Sequence, residues 1–176
     1  AAGLFHAALI QSGGCVADTR QKALATGAEL AANAGCSTAA DPVACLRSKS
    51  PAELLAALPP VVSVGGGQAP YQPSVDGTLL PGVPLEVVRA GQHNRTAVAI
   101  GANAQETGQE VPLTFSDAQY QLFLSTTFPD PAVRAAVASL YSSANFGSAR
   151  LAYVALTSDV KFICPSRTIA RALVAS

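Results

Sequence analysis

The sequence predicts an α/β fold in which a few parallel strands are covered by helices. Two short apolar runs, residues 7–11 and 97–103, show no polar alternation, as is typical of strands buried on both faces of a parallel sheet. Patterns with helical spacing lie between and after these runs. Of the 176 residues, 49% are hydrophobic and 12% are charged, which is typical of a globular chain.

The first half of the chain predicts one strand and three helices. The strand at residues 7–11 ends in the serine and glycines of residues 12–14, which favour a turn. A helix is predicted over residues 18–35, because small and apolar side chains recur at helical spacing before a terminal glycine. Residues 41–58 predict two shorter helices, and the second begins with a capping box and a proline at residues 50–53.

The middle of the chain is dense in proline and glycine. Residues 59–84 therefore predict loop and a short hairpin, and the glycine run at 65–67 lacks the strand-to-helix setting of a phosphate-binding loop. A short helix is predicted over 83–92, followed by the second strand. Four further helical patterns complete the chain, at residues 116–128, 130–141, 150–162 and 166–176.

Composition argues against several classes of partner. Lysine and arginine number 11 together, as do aspartate and glutamate, so the net charge is zero. That balance argues against a nucleic acid or an anionic membrane surface. No apolar run approaches the roughly 18 residues of a membrane span, and the first residues lack the features of a targeting peptide. Because the sequence begins with Ala1 and contains no methionine, we expect a processed or partial chain.

The four cysteines, Cys15, Cys36, Cys45 and Cys164, show none of the spacings of a zinc site, so no metal is predicted. No cofactor is expected either. Cys36 and Cys45 flank a turn-rich loop, and a disulfide there would contribute about 2–3 kcal/mol; the alternative is two free thiols. Asn94 begins an N-R-T glycosylation sequon, with a chance match as the alternative. Both features favour a secreted or periplasmic location.

The most informative side chains follow the two predicted strands, Ser12 after the first and Glu106 after the second. In an open parallel sheet, catalytic groups gather beyond the carboxyl ends of the strands, and neighbouring strands lie about 4.8 Å apart. If these strands are neighbours, the Ser12 hydroxyl and the Glu106 carboxylate can share a hydrogen bond. The alternative is that Glu106 is a solvated turn residue.

A complete hydrolytic triad cannot be assembled from these residues. The G-x-S-x-G nucleophile elbow is absent, and a serine nucleophile needs a histidine base within about 3 Å. His93 precedes the strand that Glu106 follows, which places it roughly 20 Å away at the opposite edge of the sheet. His6 likewise precedes the first strand, and we expect it to be a packed or surface residue.

Taken together, the chain resembles the middle of a type B carboxylesterase, the cholinesterase-like branch of the α/β-hydrolase fold, over essentially all 176 residues. The resemblance implies a partial α/β-hydrolase fold, with residues 1–176 as an internal portion of the esterase domain. Five motifs in the family's order are similar: "GLFHAALIQSGG", "GCSTAADPVACLRSKSPAELLAA", "VDGTLLPGVPLEVVRAGQ", "AVAIGANAQETG" and "TSDVKFICPSRTIARAL".

The resemblance implies roles for individual residues. Glu106 matches the acid of the family's Ser-Glu-His triad, and Ser12 matches the second serine that supports this acid. Cys36 and Cys45 match the family's disulfide. Cys164 matches a cysteine that in some relatives pairs with one further downstream, whereas Cys15 has no assignable partner.

The family's nucleophile and histidine would lie before Ala1 and after Ser176, because the chain order is serine, acid, histidine. The resemblance therefore implies a segment of a serine esterase that acts on small ester substrates, needs the remainder of the hydrolase domain as its partner, and is inactive alone. One alternative is a non-catalytic cholinesterase-like domain for adhesion or protein binding. Another alternative is a self-standing α/β domain without ester chemistry. The argument against it is that a sheet cut between its strands would have exposed edges, so we expect the isolated chain to associate.

Overall fold

The computed structural model describes residues 3–14, 16–59 and 71–176. Two strands, β1 (Ala7–Gln11) and β2 (Ala97–Gly101), form a parallel sheet. The helices of the described residues are α1 (Arg20–Asn33), α2 (Pro42–Ser48), α3 (Pro51–Ala57), α4 (Pro84–Arg89), α5 (Asp117–Thr127), α6 (Pro131–Leu140), α7 (Ser143–Phe146), α8 (Ala149–Ser158) and α9 (Cys164–Ala175), and a π-helical turn (Asp159–Ile163) joins the last two.

The pairing of β1 with β2 confirms the predicted α/β class. The strands run parallel in a register that pairs Ala7 with Ala97 and Gln11 with Gly101. The second strand ends at Gly101 rather than at residue 103 as predicted. Because both strands end at the same edge, the residues that follow them are brought together.

The prediction that both faces of the sheet are buried is wrong for the described chain. Exposed and half-buried residues alternate along each strand, and Leu9 is 69% exposed. On the better covered face, Ile10 and Ile100 are half-buried, and α9 contacts β2. An apolar run predicts burial on both sides, whereas the helices of the described residues shield one face only.

The chain divides into two compact units. The sheet unit comprises Ala1–Gly14 and Asn94–Ala175, and the disulfide unit comprises Cys15–His93 with Ser176. Most of α8 is buried in the sheet unit. Its Tyr153 ring lies 4.5 Å from the ring of Phe115 and 4.9 Å from that of Phe123, measured between centroids.

In the disulfide unit, Cys36 and Cys45 form a disulfide with a Cα–Cα distance of 5.6 Å, which confirms the predicted pairing. The side-chain amide of Asn33 at the end of α1 donates to the carbonyl of Ala57 in α3, at 2.9 Å. These two links join the end of α1 to α2 and to α3.

The predicted hairpin within residues 59–84 is not found in its described part. Residues 60–70, including the glycine run at 65–67, lie outside the described residues. Within 71–83, Ser74 instead forms an isolated parallel bridge with Asp18. Turn-forming residues mark a change of direction, but they do not specify which distant segment the chain then contacts.

The helix ends follow the predicted caps. Ser50 and Glu53 form a capping box at the start of α3, and Ser116 forms another at α5. The Asp130 carboxylate accepts hydrogen bonds at the start of α6, where Pro131 occupies the first position. No helix among the described residues is long and apolar enough to cross a membrane.

The last two predicted helices are one continuous helical segment. Separate helices are predicted over residues 150–162 and 166–176, on either side of Pro165, but α8 continues through the π turn into α9. Proline cannot donate the backbone hydrogen bond of a helix interior, and a π turn is one of the ways in which a helix absorbs such an interruption. The short α7 was not predicted, and it ends at Gly147, whose φ is 82°.

Candidate active site

Ser12 extends the pairing of the two strands by one residue. Its backbone N–H donates to the carbonyl of Gly101 at 2.7 Å. Its φ of 57° lies in the left-handed region, which costs an L-residue about 1–2 kcal/mol. Strained backbone of this kind concentrates at functional sites. The next residue, Gly13, approaches the Ile10 side chain so closely that an added Cβ would lie 2.8 Å from it.

The Glu106 carboxylate lies at the same edge of the sheet and is half-buried. The Ser12 hydroxyl hydrogen-bonds to it, and the backbone N–H of Asn103 donates to its Oε2 at 2.6 Å. Its pKa is lowered from 4.5, first by the Ser12 hydroxyl, then by the Asn103 N–H and amide side chain, against partial burial. The pair predicted from the strand ends is therefore in contact, and Glu106 is ionised at neutral pH.

An ionised carboxylate only accepts hydrogen bonds, through two oxygens with about four lone-pair sites. The Asn103 N–H donates to one of these oxygens at 2.6 Å, and the Ser12 hydroxyl and the Asn103 side chain also stabilise the charged form. The arrangement therefore orients the carboxylate, which can still accept a further N–H or O–H. This is the chemistry of a carboxylate that orients a basic side chain.

A cavity of about 380 Å³ opens at the carboxyl ends of the strands. It is lined by residues 9–12 of β1 and the turn after it, and by residues 99–103 of β2 and the loop after it. Ser12 and Asn103, the two donors to Glu106, both line this cavity. A ligand in this cavity would therefore contact residues that hold the Glu106 carboxylate.

The loop after Glu106 is attached to α8 by contacts that the sequence analysis missed. The Thr107 N–H donates to the Ser158 hydroxyl at 3.3 Å, and the hydroxyls of Thr107 and Thr157 lie 2.6 Å apart. Further along the loop, the Arg150 side chain donates to the carbonyls of Gly108 and Val111, at 2.5 and 3.1 Å. These partners are about 40 to 50 residues apart, so no local pattern marks them.

The other predicted residues lie apart from this arrangement. His6 is exposed immediately before β1. The Nδ1 of His93 is buried without a hydrogen-bond partner in the described structure. Neither histidine is a hydrogen-bond partner of Glu106 there.

The sequon asparagine, Asn94, has a buried Nδ2 with no partner among the described residues. A glycan attaches to that nitrogen, so its burial counts against modification of the folded chain, and the sequon stays a prediction. Cys164 has an exposed free thiol, and Cys15 lies outside the described residues. Within the described ranges, no three histidine, cysteine or acidic side chains are grouped to hold a metal ion.

Comparison with known proteins finds carboxylesterases as relatives of this chain. A model of the carboxylesterase family matches residues 1–176. The liver carboxylesterase of Sus scrofa is 36% identical over 121 residues, which cover 62% of this chain and 21% of that protein. Liver carboxylesterase 1 of Oryctolagus cuniculus is 31% identical over 122 residues, which cover 62% of this chain and 22% of that protein.

Among solved structures, the crystal structure of Aspergillus niger EstA is similar with a TM-score of 0.67. The match covers 98% of this chain and 36% of EstA at 21% identity, so it bears on the fold alone. The region matched to the two liver enzymes spans about a fifth of their length. The fold agrees with the predicted partial α/β-hydrolase architecture.

Proposed function

Because the chain belongs to the carboxylesterase family, we propose that it is the segment of a serine carboxylesterase that carries the acid of the catalytic triad. In this proposal Glu106 is that acid and Ser12 is the serine that supports it. The complete enzyme hydrolyses carboxylic esters through an acyl-enzyme intermediate. The observation on which the proposal depends is the carboxylate of Glu106, held by Ser12 and Asn103 at the carboxyl ends of two parallel strands.

The role of Glu106 follows from its charge and its hydrogen bonds. A carboxylate that accepts the ring N–H of a histidine fixes the histidine's tautomer and stabilises the imidazolium that forms as serine attacks the ester carbonyl. The hydrogen bond from Ser12 lowers the pKa of Glu106, so the acid stays charged at the pH at which such a histidine acts as a base. Ser12 and Asn103 also fix the direction from which that N–H must approach.

The nucleophile and the base are proposed to lie in parts of the domain other than residues 1–176. Two observations support this. The 176 residues contain no G-x-S-x-G elbow, and the relatives are roughly five times as long as the matched region. Loss of both the nucleophile and the base costs about 10⁶-fold in rate in a comparable enzyme. The chain alone is therefore proposed to be inactive.

A secreted or periplasmic location is part of the proposal. The disulfide between Cys36 and Cys45 supports it, because disulfides persist in oxidising compartments and are reduced in the cytosol.

The test uses the complete protein that contains residues 1–176. We expect it to hydrolyse a p-nitrophenyl ester and to be labelled by a fluorophosphonate. Glu106→Gln should then lower kcat by about 10⁴-fold, as the equivalent change does in a serine protease. The control is Glu110→Gln, an exposed glutamate four residues further along, which should leave kcat unchanged.

Two outcomes would count against parts of the proposal. Equal kcat values for the two variants would show that Glu106 is not the triad acid. Absence of both turnover and labelling in the complete protein would favour the non-catalytic adhesion or binding domain. Separately, ester turnover by the isolated chain, blocked by an organophosphate, would contradict the proposal that the nucleophile lies elsewhere.

A further inference from the structure

We infer that the hydroxyl groups of Thr107, Thr157 and Ser158 form a positioning device that holds the backbone of Glu106 against α8, so that its carboxylate faces the carboxyl ends of the strands. This inference rests on the proposed role of Glu106 as the triad acid. The three residues, called the hydroxyl cluster below, are positioning residues and make no contact with a reacting atom.

All three residues of the hydroxyl cluster are buried. Thr107 is 3% exposed, Thr157 is 1% exposed and Ser158 is fully buried. Polar side chains are buried at a cost unless their hydrogen bonds are satisfied. Two buried hydroxyls of α8, those of Thr157 and Ser158, contact the one loop residue Thr107, and this arrangement needs a reason beyond the filling of space.

The contacts of the hydroxyl cluster form one network. The Thr157 hydroxyl lies 2.9 Å from the carbonyl oxygen of Tyr153 and 3.3 Å from that of Val154. The Thr107 hydroxyl lies 2.6 Å from the Thr157 hydroxyl, 3.3 Å from the Val154 carbonyl oxygen and 3.4 Å from the Ser158 hydroxyl. In each hydroxyl–hydroxyl contact either oxygen can be the donor. Such linked hydrogen bonds strengthen one another in a buried setting.

The contact with Ser158 acts on Glu106 directly. Its hydroxyl oxygen accepts the backbone N–H of Thr107 at 3.3 Å, and that N–H belongs to the peptide group joining Glu106 to Thr107. Because a peptide group is planar, a hydrogen bond that holds its N–H also fixes the orientation of the Glu106 carbonyl group, and with it the backbone of Glu106. The carboxylate itself is held from the other side by the N–H of Asn103 at 2.6 Å.

A second attachment lies one residue further along. The Arg150 guanidinium donates to the carbonyl of Gly108 at 2.5 Å, and Arg150 belongs to the same helix as Thr157 and Ser158. The loop is therefore bound to one rigid element at two successive residues after Glu106. A triad acid needs this support, because a displacement of about 1 Å at a catalytic group can cost about 100-fold in rate.

The test compares variants of the complete protein that contains residues 1–176 by NMR. Thr107→Val removes the hydroxyl and keeps the shape, Thr107→Ser keeps the hydroxyl, and Ser158→Ala removes the acceptor of the peptide N–H. Tyr120→Phe is the control for stability, since it removes a buried hydrogen bond to the carbonyl of Tyr141 that lies outside the loop. Thr126→Val is the control for an exposed helical threonine.

For each variant, the readouts are the pKa of the Glu106 carboxyl from a ¹³C titration and the exchange rate of the Thr107 amide. We expect Thr107→Val and Ser158→Ala to raise the pKa of Glu106 toward 4.5 and to speed amide exchange at least tenfold. Thr107→Ser should restore both values. Tyr120→Phe and Thr126→Val should change neither, even where Tyr120→Phe lowers the melting temperature.

An unchanged pKa of Glu106 in Thr107→Val and Ser158→Ala would overturn the inference, and so would an equal change in Tyr120→Phe. If Ser158→Ala does not fold, the pair Thr107→Val and Thr107→Ser decides the question. These readouts need no catalysis, so they separate failure of the positioning device from failure of the proposed function. In an active complete enzyme, Thr107→Val should lower kcat about 10- to 100-fold with KM unchanged.

Discussion

The disulfide between Cys36 and Cys45 offers a quantitative prediction. It joins residues 9 apart in the sequence, and the loop-entropy relation for that length gives about 2.6 kcal/mol at 25 °C. This is the amount by which the bond disfavours the unfolded form of the disulfide unit. At 1.4 kcal/mol for each factor of ten, the opening equilibrium of that unit changes by about 70-fold on reduction.

Amide hydrogen exchange followed by mass spectrometry measures this change. The most protected amides of a cooperative unit exchange when the unit opens, so peptides from α1 and α3 report on the disulfide unit. The wild-type chain and the variant Cys36→Ala/Cys45→Ala are each measured with and without reductant. We expect reductant to speed exchange in α1 and α3 of the wild type about 70-fold, and to leave the variant unchanged.

The design separates the bond from the side chains. Cys36 is fully buried, so its replacement by alanine also removes packing, and the difference between oxidised and reduced wild type avoids that contribution. Peptides from α5 and α8, in the sheet unit, are the internal control. A change of less than about fivefold in the exchange rates of α1 and α3 would refute the reasoning. It would mean that the disulfide lowers the conformational entropy of the unfolded form only slightly.

Two further predictions concern titrating groups. Ser12→Ala and Ser12→Gly should both raise the pKa of Glu106 in a ¹³C titration, because both remove the hydroxyl that lowers this pKa most. Ser12→Gly should be the more stable of the two variants by about 1 kcal/mol, because glycine adopts a positive φ without strain. Equal stabilities of the two variants would contradict this second expectation. Burial raises the pKa of Tyr120 and of Tyr153 to about 12. Since an unfolded tyrosine has a pKa of about 10, their contribution to stability is complete below pH 10 and is lost between about pH 10 and 12. Chemical denaturation followed across that range should show the loss, and Tyr120→Phe should reduce it.

Much of the local structure could be predicted because its causes lie within a few residues. Ser50 and Ser116 cap their helices through contacts three residues away, and Pro131 occupies the first position of α6. Capping depends on side-chain oxygens that reach the first free N–H groups of a helix. Such contacts are visible in the order of residues alone.

The contact between Ser12 and Glu106 was predictable for another reason. Both residues follow apolar strands, and parallel strands that pair bring their carboxyl ends to one edge of the sheet. What could not be predicted is the strained φ of Ser12. A positive φ in a serine depends on the surrounding structure, because serine itself disfavours it.

The amino-acid sequence by itself determined the helix caps, the two strands, the flanking cysteines and the acid at a strand end, because each depends on local pattern and stereochemistry. Only the tertiary structure decided that one face of the sheet is exposed, that α8 continues through a π turn, and that Thr107 meets Ser158 across 51 residues of sequence. The physical reason is that such contacts depend on the packing of α8 against the loop. A threonine and a serine have no local property that predicts which distant hydroxyl they will meet.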